Sequence, residues 1–459
     1  MAETLTEHNR AENKMGIMPI PKLLISMSLP IIISMLVQAL YNIVDSIFVS
    51  QIDEYNKAFT AVSLAFPVQN LMIAVGAGTG VGINALLSKS LGEKNYEKAS
   101  LVGNTGIVLG FFSFLAFFIF GIFGVNAYAN FQTKDTEIVK YCIEYMNVIC
   151  IGSLGIFMQI TMERLLQATG KSFLSMIVQL SGALFNLIFD PILIFGYFGF
   201  PKMGVAGAAL ATVLGQFVSM GLGIFMNIRF NKEIRISLIK YRPNRKIVGA
   251  IYAIAVPSIL LMSIGSVMNL CMNKILIQYS SAAVAVFGVY FKLQSFLIMP
   301  VSGLNNGMVP IIAFNYGAKN KPRIAATIRL SCYIACAIMV LGLAVFHLFP
   351  GALLRMFNAS ADMYVLGLSA LRIISLHYLF AGVCIIFLSV FQAVGSSIYS
   401  LIVSMARQLV VLVPSAWLLS YFFGLDAVWW SFPLAEIVSL LLSVIFMRHI
   451  WNQKIKPLA

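Results

Sequence analysis

Two carboxylates stand inside long apolar runs of this chain, Asp45 and Asp190. An ionised carboxylate in a membrane helix costs about 2.5–3.5 kcal/mol on insertion scales, so each needs a chemical reason. Gln38, Tyr41, Asn42 and Asp45 follow a helical i, i+3/i+4, i+7 spacing and form one polar stripe. Gln179, Gly182, Asn186 and Asp190 repeat that pattern further on. Pro191 leaves the carbonyl of Leu187 without its helical donor, free for an ion or a water. Each acid falls six residues before the expected end of its helix, about 9 Å below that end at 1.5 Å per residue. Two acids at matched depth, each one turn from an amide, are suited to sharing a proton or a small cation. Their charged forms repel, and bound H⁺ or Na⁺ removes the repulsion. A Na⁺ ion would be held by Asp45, Asn186 and Asp190. The alternative reading is separate hydrogen-bonded side chains at helix contacts.

The second half of the chain lacks these acids. Asp45 maps to Met272, and Asp190 maps near Pro414 and Ser415. Instead Lys292, Arg372 and Arg407 fall near the middle of apolar runs, with Glu436 at a similar depth. Glu436 most simply neutralises Arg407. If the rest face a cleft, its wall is positive and favours an anionic or zwitterionic amphiphile. If they snorkel or bond carbonyls, that preference disappears. Glu163-Arg164 reads as a local pair, and His377 as a deep packing residue. Some of the 35 Phe and 23 Met can line a greasy, adaptable cavity.

The elements that must carry these residues are membrane helices. The chain is 60% hydrophobic and 10% charged, with mean hydropathy +0.90, against about 25% charged in soluble domains. Twelve apolar runs are long enough to span, at roughly 24–51, 58–87, 98–124, 137–163, 172–196, 204–228, 247–279, 283–315, 324–348, 361–391, 397–421 and 426–450. They are too long for barrel strands, and helices alone satisfy their own backbone in hydrocarbon.

The net charge of +14 does not indicate nucleic acid, because its distribution is one-sided. Twenty-two Lys and Arg, from Arg10 and Lys14 through Lys240 to Lys456, fall in loops of one side. Only Lys57, Lys134, Lys202 and Arg355 fall on the other. This positive-inside bias places both termini in the cytoplasm, as an even helix count requires. The opening residues, with Glu3, Glu7 and Glu12, do not read as a cleaved signal peptide. The six cysteines have no paired spacing and read as apolar thiols, so neither a disulfide frame nor a zinc site is expected.

The chain also repeats itself. Leu91-Gly92-Glu93-Lys94-Asn95 recurs as Tyr316-Gly317-Ala318-Lys319-Asn320, an offset of 225. Gln167-Ala168-Thr169-Gly170 recurs as Gln392-Ala393-Val394-Gly395, and Phe66 and Gln69 as Phe291 and Gln294, at the same offset. Pro30 and Pro257 sit alike near the starts of the first and seventh spans, where each favours a bend. The expected organisation is a six-helix bundle over 1–230, a basic linker over 231–246 and a second six-helix bundle over 247–459. Six is even, so the repeats are parallel, with the site between them.

Ser28-Leu29-Pro30 leading to Gln38-Ala39-Leu40-Tyr41-Asn42-Ile43-Val44-Asp45 resembles the first helix of multidrug and toxic compound extrusion (MATE) transporters. Gln167-Ala168-Thr169-Gly170-Lys171, Asn186-Leu187-Ile188-Phe189-Asp190-Pro191 and Gly204-Val205-Ala206-Gly207-Ala208-Ala209 are similar to later motifs of that family. The resemblance implies an all-α, V-shaped pair of bundles, not an enzyme. It implies export of lipophilic, often cationic compounds in exchange for H⁺ or Na⁺, with no cofactor, in a plasma (inner) membrane. Tyr41, Asp45, Asn186, Asp190 and Thr212 match the family's cation cluster, which Asn42 adjoins. The cleft is expected to draw on Gln38, Gln179, Lys292, Arg372, Arg407 and Glu436. Members that place coupling acids on helices seven and ten differ from this chain, which has Lys274 and Arg372 there. The partners expected are an amphiphilic small molecule and the bilayer, with the chain acting as a monomer.

Three other classes compete. A flippase of lipid-linked precursors suits the second-half cations. An intramembrane aspartyl protease needs Gly-x-Gly-Asp, which neither Asp45 nor Asp190 has. A receptor or scaffold leaves the paired acids without a purpose. The topology is directly testable: a cysteine at Asn130 should label from outside and one at Asn244 from inside. The reverse pattern would refute it.

Overall fold

The computed structural model describes residues 12–52, 57–237, 242–357 and 359–458. Arg10, Lys240, Glu3 and Glu7 lie outside the described residues. Ten helices are long and apolar enough to cross a membrane, and two bent pairs bring the number to twelve among the described residues. In chain order they are α1 (Ile20–Ser50), α2 (Lys57–Gly92), α3 (Tyr96–Phe123), α4 (Thr136–Ile151 with Leu154–Ala168), α5 (Ser172–Phe195) and α6 (Gly204–Phe230). The second set is α7 (Arg245–Leu276), α8 (Ser281–Gly317), α9 (Lys321–Leu348), α10 (Ala361–Ser375 with Tyr378–Ala393), α11 (Ser397–Phe423) and α12 (Leu425–Ile455). Large side chains such as Phe112, Leu184, Leu341 and Val365 are exposed, as lipid-facing surfaces require.

Two spans differ from the straight helices expected. α4 bends by 45° at Gly152-Ser153 and α10 by 49° at Leu376-His377. At the first break, a Cβ on Gly152 would meet the side chain of Val213 on α6, so the close approach needs glycine. At the second, the His377 ring takes up the carbonyl of Ile374 at 2.6 Å through Nδ1. α11 widens to a π-helical turn over Ala406–Leu412, just before Pro414, which has no N–H to give. By contrast, α1 and α7 run through Pro30 and Pro257 as continuous helices.

The repeated motifs make the same turn twice. Lys94 and Lys319 both take left-handed backbone, with φ of 58° and 55°. Asn95 and Asn320 then cap the next helix, accepting from the backbone N–H of Lys98 and Arg323. Gly170 and Gly395, at φ of 86° and 72°, end α4 and α10 alike. The next residues, Lys171 and Ser396, reach back to Leu166 and Phe391 at 2.7 Å.

Asn13, Glu233, Arg235 and Lys454 share one end of the molecule, called the inner end. There the two halves close on reciprocal glycines. A Cβ on Gly92 would strike the carbonyl of Phe314, and one on Gly317 the carbonyl of Lys89. Higher up, Gly78 packs on Ile259 of α7 while Gly303 packs on Ile32 of α1. The N-terminal segment straddles this seam. Asn13 Nδ2 donates to the Thr169 carbonyl and Glu233, at 3.1 and 2.8 Å, while Arg323 Nη2 donates to the carbonyls of Met15 and Met18 at 3.0 and 2.7 Å.

Gly92→Ala should therefore destabilise the protein by about 1–3 kcal/mol through overpacking. Gly221→Ala, where nothing lies within 4 Å of the added carbon, should not. Thermal midpoints in detergent distinguish them; equal midpoints would refute the tight seam.

Candidate functional site: a cleft with a buried carboxyl pair

α1 and α5 bring the two acids of the sequence together. The carboxyls of Asp45 and Asp190 lie side by side where α1 packs on α5. Asn186, one turn before Asp190, donates from Nδ2 to Asp190 Oδ1 at 3.1 Å and to Thr212 Oγ1 of α6 at 3.2 Å. Small residues make this crossing possible. Gly182 on α5 and Gly215 on α6 stand where a Cβ would meet the other helix's backbone. Two bare charges about 4 Å apart repel by about 4 kcal/mol at an effective dielectric of 20, a repulsion that a shared proton or a bound cation removes. Asp45 Oδ1 and Asn186 Oδ1 are buried and have no hydrogen-bond partner. Together with Asp190 they are oxygen ligands of the kind a small hard cation takes.

The other stripe residues divide. Tyr41 lies beside Gln38, whose Oε1 accepts from Gln179 Nε2 at 2.7 Å. Asn42 makes no hydrogen bond to either carboxyl among the described residues; it is exposed and lines the cleft instead. Three positions from Asp45 places it on the flank of the stripe rather than under the acid.

The cluster borders a cleft of about 690 Å³ between the two halves. Tyr41, Phe66, Tyr145, Met35, Met72 and Met262 supply much of its apolar wall, and Gln38, Gln179 and Thr212 also face it. Four charged side chains line it: Asp45, Glu163, Arg164 and Arg407. Arg164 is engaged, donating from Nη1 to Gln167 Oε1 and, across to the other half, to Asn306 Oδ1, at 2.9 and 3.1 Å. Arg407 is paired with Glu436 at 3.3 Å, the partner expected for it. Glu163 is buried and accepts from the neutral Gln159 Nε2 at 3.0 Å, its one hydrogen bond among the described residues.

Several sequence expectations are corrected here. Lys292 and Arg372 do not line the cleft; both are exposed elsewhere. The Lys292 ammonium lies 6.0 Å from the Phe357 ring centroid, a reach toward the outer end that a long side chain allows. Glu436 is buried behind Arg407 rather than on the wall. Glu163 and Arg164 form no ion pair with each other, because successive helical positions point about 100° apart. Sequence reasoning missed Tyr145, whose hydroxyl accepts from Gln69 Nε2 at 3.0 Å. Its only signal was the repeated Phe66/Gln69 pair. Cys142, Cys150 and Cys384 are buried, the others half-buried, and all are free thiols.

Parallel six-helix sets, a cleft between them and buried acids on its wall define a multi-pass membrane transporter. Residues 30–192 and 257–418 each match the MatE family, so the chain belongs to it. It is 27% identical over 435 residues to the multidrug export protein MepA of Staphylococcus haemolyticus, covering 94% of each chain. It also resembles a multidrug resistance MATE family transporter of the MOP superfamily solved in an outward-facing conformation. The TM-score is 0.88, with 25% identity over 95% of this chain and 96% of that one. A MATE structure in a bent conformation matches at TM-score 0.87 and 25% identity, over 95% and 97% of the two chains.

With only Arg407 of the three cations facing the cleft, Lys292→Ala and Arg372→Ala should leave the charge preference of inhibitors unchanged. Competition against one fluorescent substrate by matched cationic, neutral and anionic compounds checks this. A shift toward cations in either variant would contradict the placement.

Proposed function

We propose that the protein is a secondary active antiporter that exports lipophilic organic compounds, often cationic, in exchange for H⁺. It would sit in the plasma (inner) membrane with both termini cytoplasmic, and one chain supplies the whole cleft, so it would work as a monomer. The observation that carries this reading is the Asp45–Asp190 contact beside an apolar, aromatic cleft. Arg407 is paired with Glu436, and Glu163 and Arg164 are both held by neutral amides. The apolar, aromatic wall with Asp45 on it suits a lipophilic organic cation, as does the resemblance to multidrug export proteins.

The cycle follows from differential binding. A substrate cation favours ionised acids, and protons favour the neutral pair; the two ligands therefore select different states. Protonation from outside removes the repulsion, draws α1 onto α5 and shrinks the cleft, which expels the substrate. Opening inside requires the glycine seam between α2, α8 and their partners to part. The N-terminal segment, bonded to both halves, has to let go as well.

Na⁺ is the second reading, supported by the unpartnered oxygens of Asp45 and Asn186. Export of an anionic amphiphile or flipping of a lipid-linked precursor loses its motivation, since Lys292 and Arg372 lie away from the cleft. Proteoliposomes with an imposed pH or Na⁺ gradient and a dye panel test the proposal. Asp45→Asn or Asp190→Asn should abolish gradient-driven export at similar protein abundance. Full transport by either variant would contradict the coupling role, and drive by Na⁺ alone would replace H⁺ by Na⁺.

A further inference from the structure

The two repeats differ where the N-terminal segment lies on the inner end. In the first half, Ser90 Oγ donates to the Leu86 carbonyl of its own helix at 2.8 Å, and the Lys98 ammonium meets Glu93 at 3.1 Å. The positions 225 residues further on are Asn315, Arg323 and, in place of the acid, Ala318. Without that local carboxylate, Arg323 turns to other acceptors. Its Nε donates to Asn315 Oδ1 at 3.1 Å, and its Nη2 to the carbonyls of Met15 and Met18 at 3.0 and 2.7 Å. Asn315 Nδ2 also donates to the Met15 carbonyl, at 3.1 Å.

Packing seats the segment further. Met15 is fully buried, and a Cβ on Gly16 would come within 3.1 Å of the Phe314 ring of α8. On the first-half side, Asn13 Nδ2 donates to the Thr169 carbonyl and to Glu233, which Lys171 also holds at 3.6 Å. The side chains of Lys14 and Asn13 lie over Gly170, 3.2 and 3.5 Å from where a Cβ would stand. The second copy of this turn is used differently. A Cβ on Gly395 would meet only the tip of Ile254, at 4.0 Å, and the Val394 carbonyl accepts from Lys454 of its own half. Hydrogen bonds from a guanidinium are roughly twice as strong as neutral ones. The two sets of bonds are in series: from Thr169 and Glu233, through residues 13–18, to α8 and α9. Parting the halves at the inner end breaks one set or the other.

We propose that residues 13–18 are a strap that holds the inner end closed, and that its bonds to Arg323 and Asn315 set how often the cleft opens inward. The glycine seam closes both halves alike, whereas the strap adds a releasable tie on one side of it. The proposal rests on the alternating-access reading of the cleft, but its test measures opening and not export.

The experiment is double electron–electron resonance on the full chain in nanodiscs. Nitroxide labels are carried by Ile228→Cys on α6 and Ala326→Cys on α9, both exposed near the inner end, with the native cysteines replaced by alanine. Arg323→Gln should raise the ratio of separated to closed inner ends roughly tenfold, the loss of about one charge-assisted hydrogen bond. Asn13→Ala cuts the other end of the series, so it should give a similar rise; it also serves if Arg323→Gln does not fold. The double variant should open no further than the more open single one. Lys98→Gln, which removes the equivalent first-half cation, should keep the wild-type ratio. An unchanged ratio in whichever single variant folds would overturn the proposal. So would opening by Lys98→Gln as large as that of Arg323→Gln, or a double variant whose gain is the product of the single gains. Distances that behave as expected support the strap even where no dye is exported, an outcome that counts against the antiport reading alone.

Discussion

Everything in this molecule is arranged around the cost of holding two carboxyls together in hydrocarbon. Asp45 and Asp190 lie side by side, where their charged forms repel and a proton or a cation between them removes the repulsion. Asn186 and Thr212 set Asp190 in place, and the glycines at 182 and 215 let α5 and α6 approach closely enough to do so. A site that cannot stay doubly charged converts ion binding into a change of packing. On the antiport reading, that conversion is the engine of transport.

Packing decides where the change can go. The halves are clamped at their inner ends by backbone-to-backbone contact at Gly92 and Gly317, and by the N-terminal segment bonded to Thr169 and Glu233 on one side and to Arg323 on the other. A gap of about 0.5–1 Å at such tight glycine contacts forfeits roughly a quarter to a half of their dispersion energy. The cleft above them can therefore change shape while the seam holds. The helices α4 and α10 are bent in equivalent places of the two halves.

The charge pattern shows why a residue's type alone does not assign its role. Three cations and one acid in the second half suggested a positive wall. In the fold Lys292 and Arg372 turn away, and Arg407 meets Glu436. The cleft's two acids, Asp45 and Glu163, then both stand on the first-half side, with Arg164 beside Glu163. Glu163 was expected to pair with Arg164, yet it faces the cleft with only Gln159 as a donor.

Sequence alone determined the spans, their number, the repeat and the matched depth of Asp45 and Asp190. Each of these follows from a local rule: hydrocarbon demands long apolar helices, 3.6-residue periodicity gathers a stripe, and an offset of 225 copies a turn. The Lys94 and Lys319 turns and the glycine ends at Gly170 and Gly395 were legible for the same reason, since their conformations are set by neighbouring residues. Only tertiary structure decided which face of a helix meets the cleft, the lipid or another helix. Lys292 on the surface, Glu436 behind Arg407, Asn42 beside rather than under Asp45, and Tyr145 bonded to Gln69 all depend on helix rotation and crossing. Those are fixed by packing among distant segments, as are the bends in α4 and α10, where Gly152 meets Val213 and His377 takes the Ile374 carbonyl. A one-dimensional pattern carries the period of a helix but not its rotation about its own axis, and that rotation decides which side chains face the cleft.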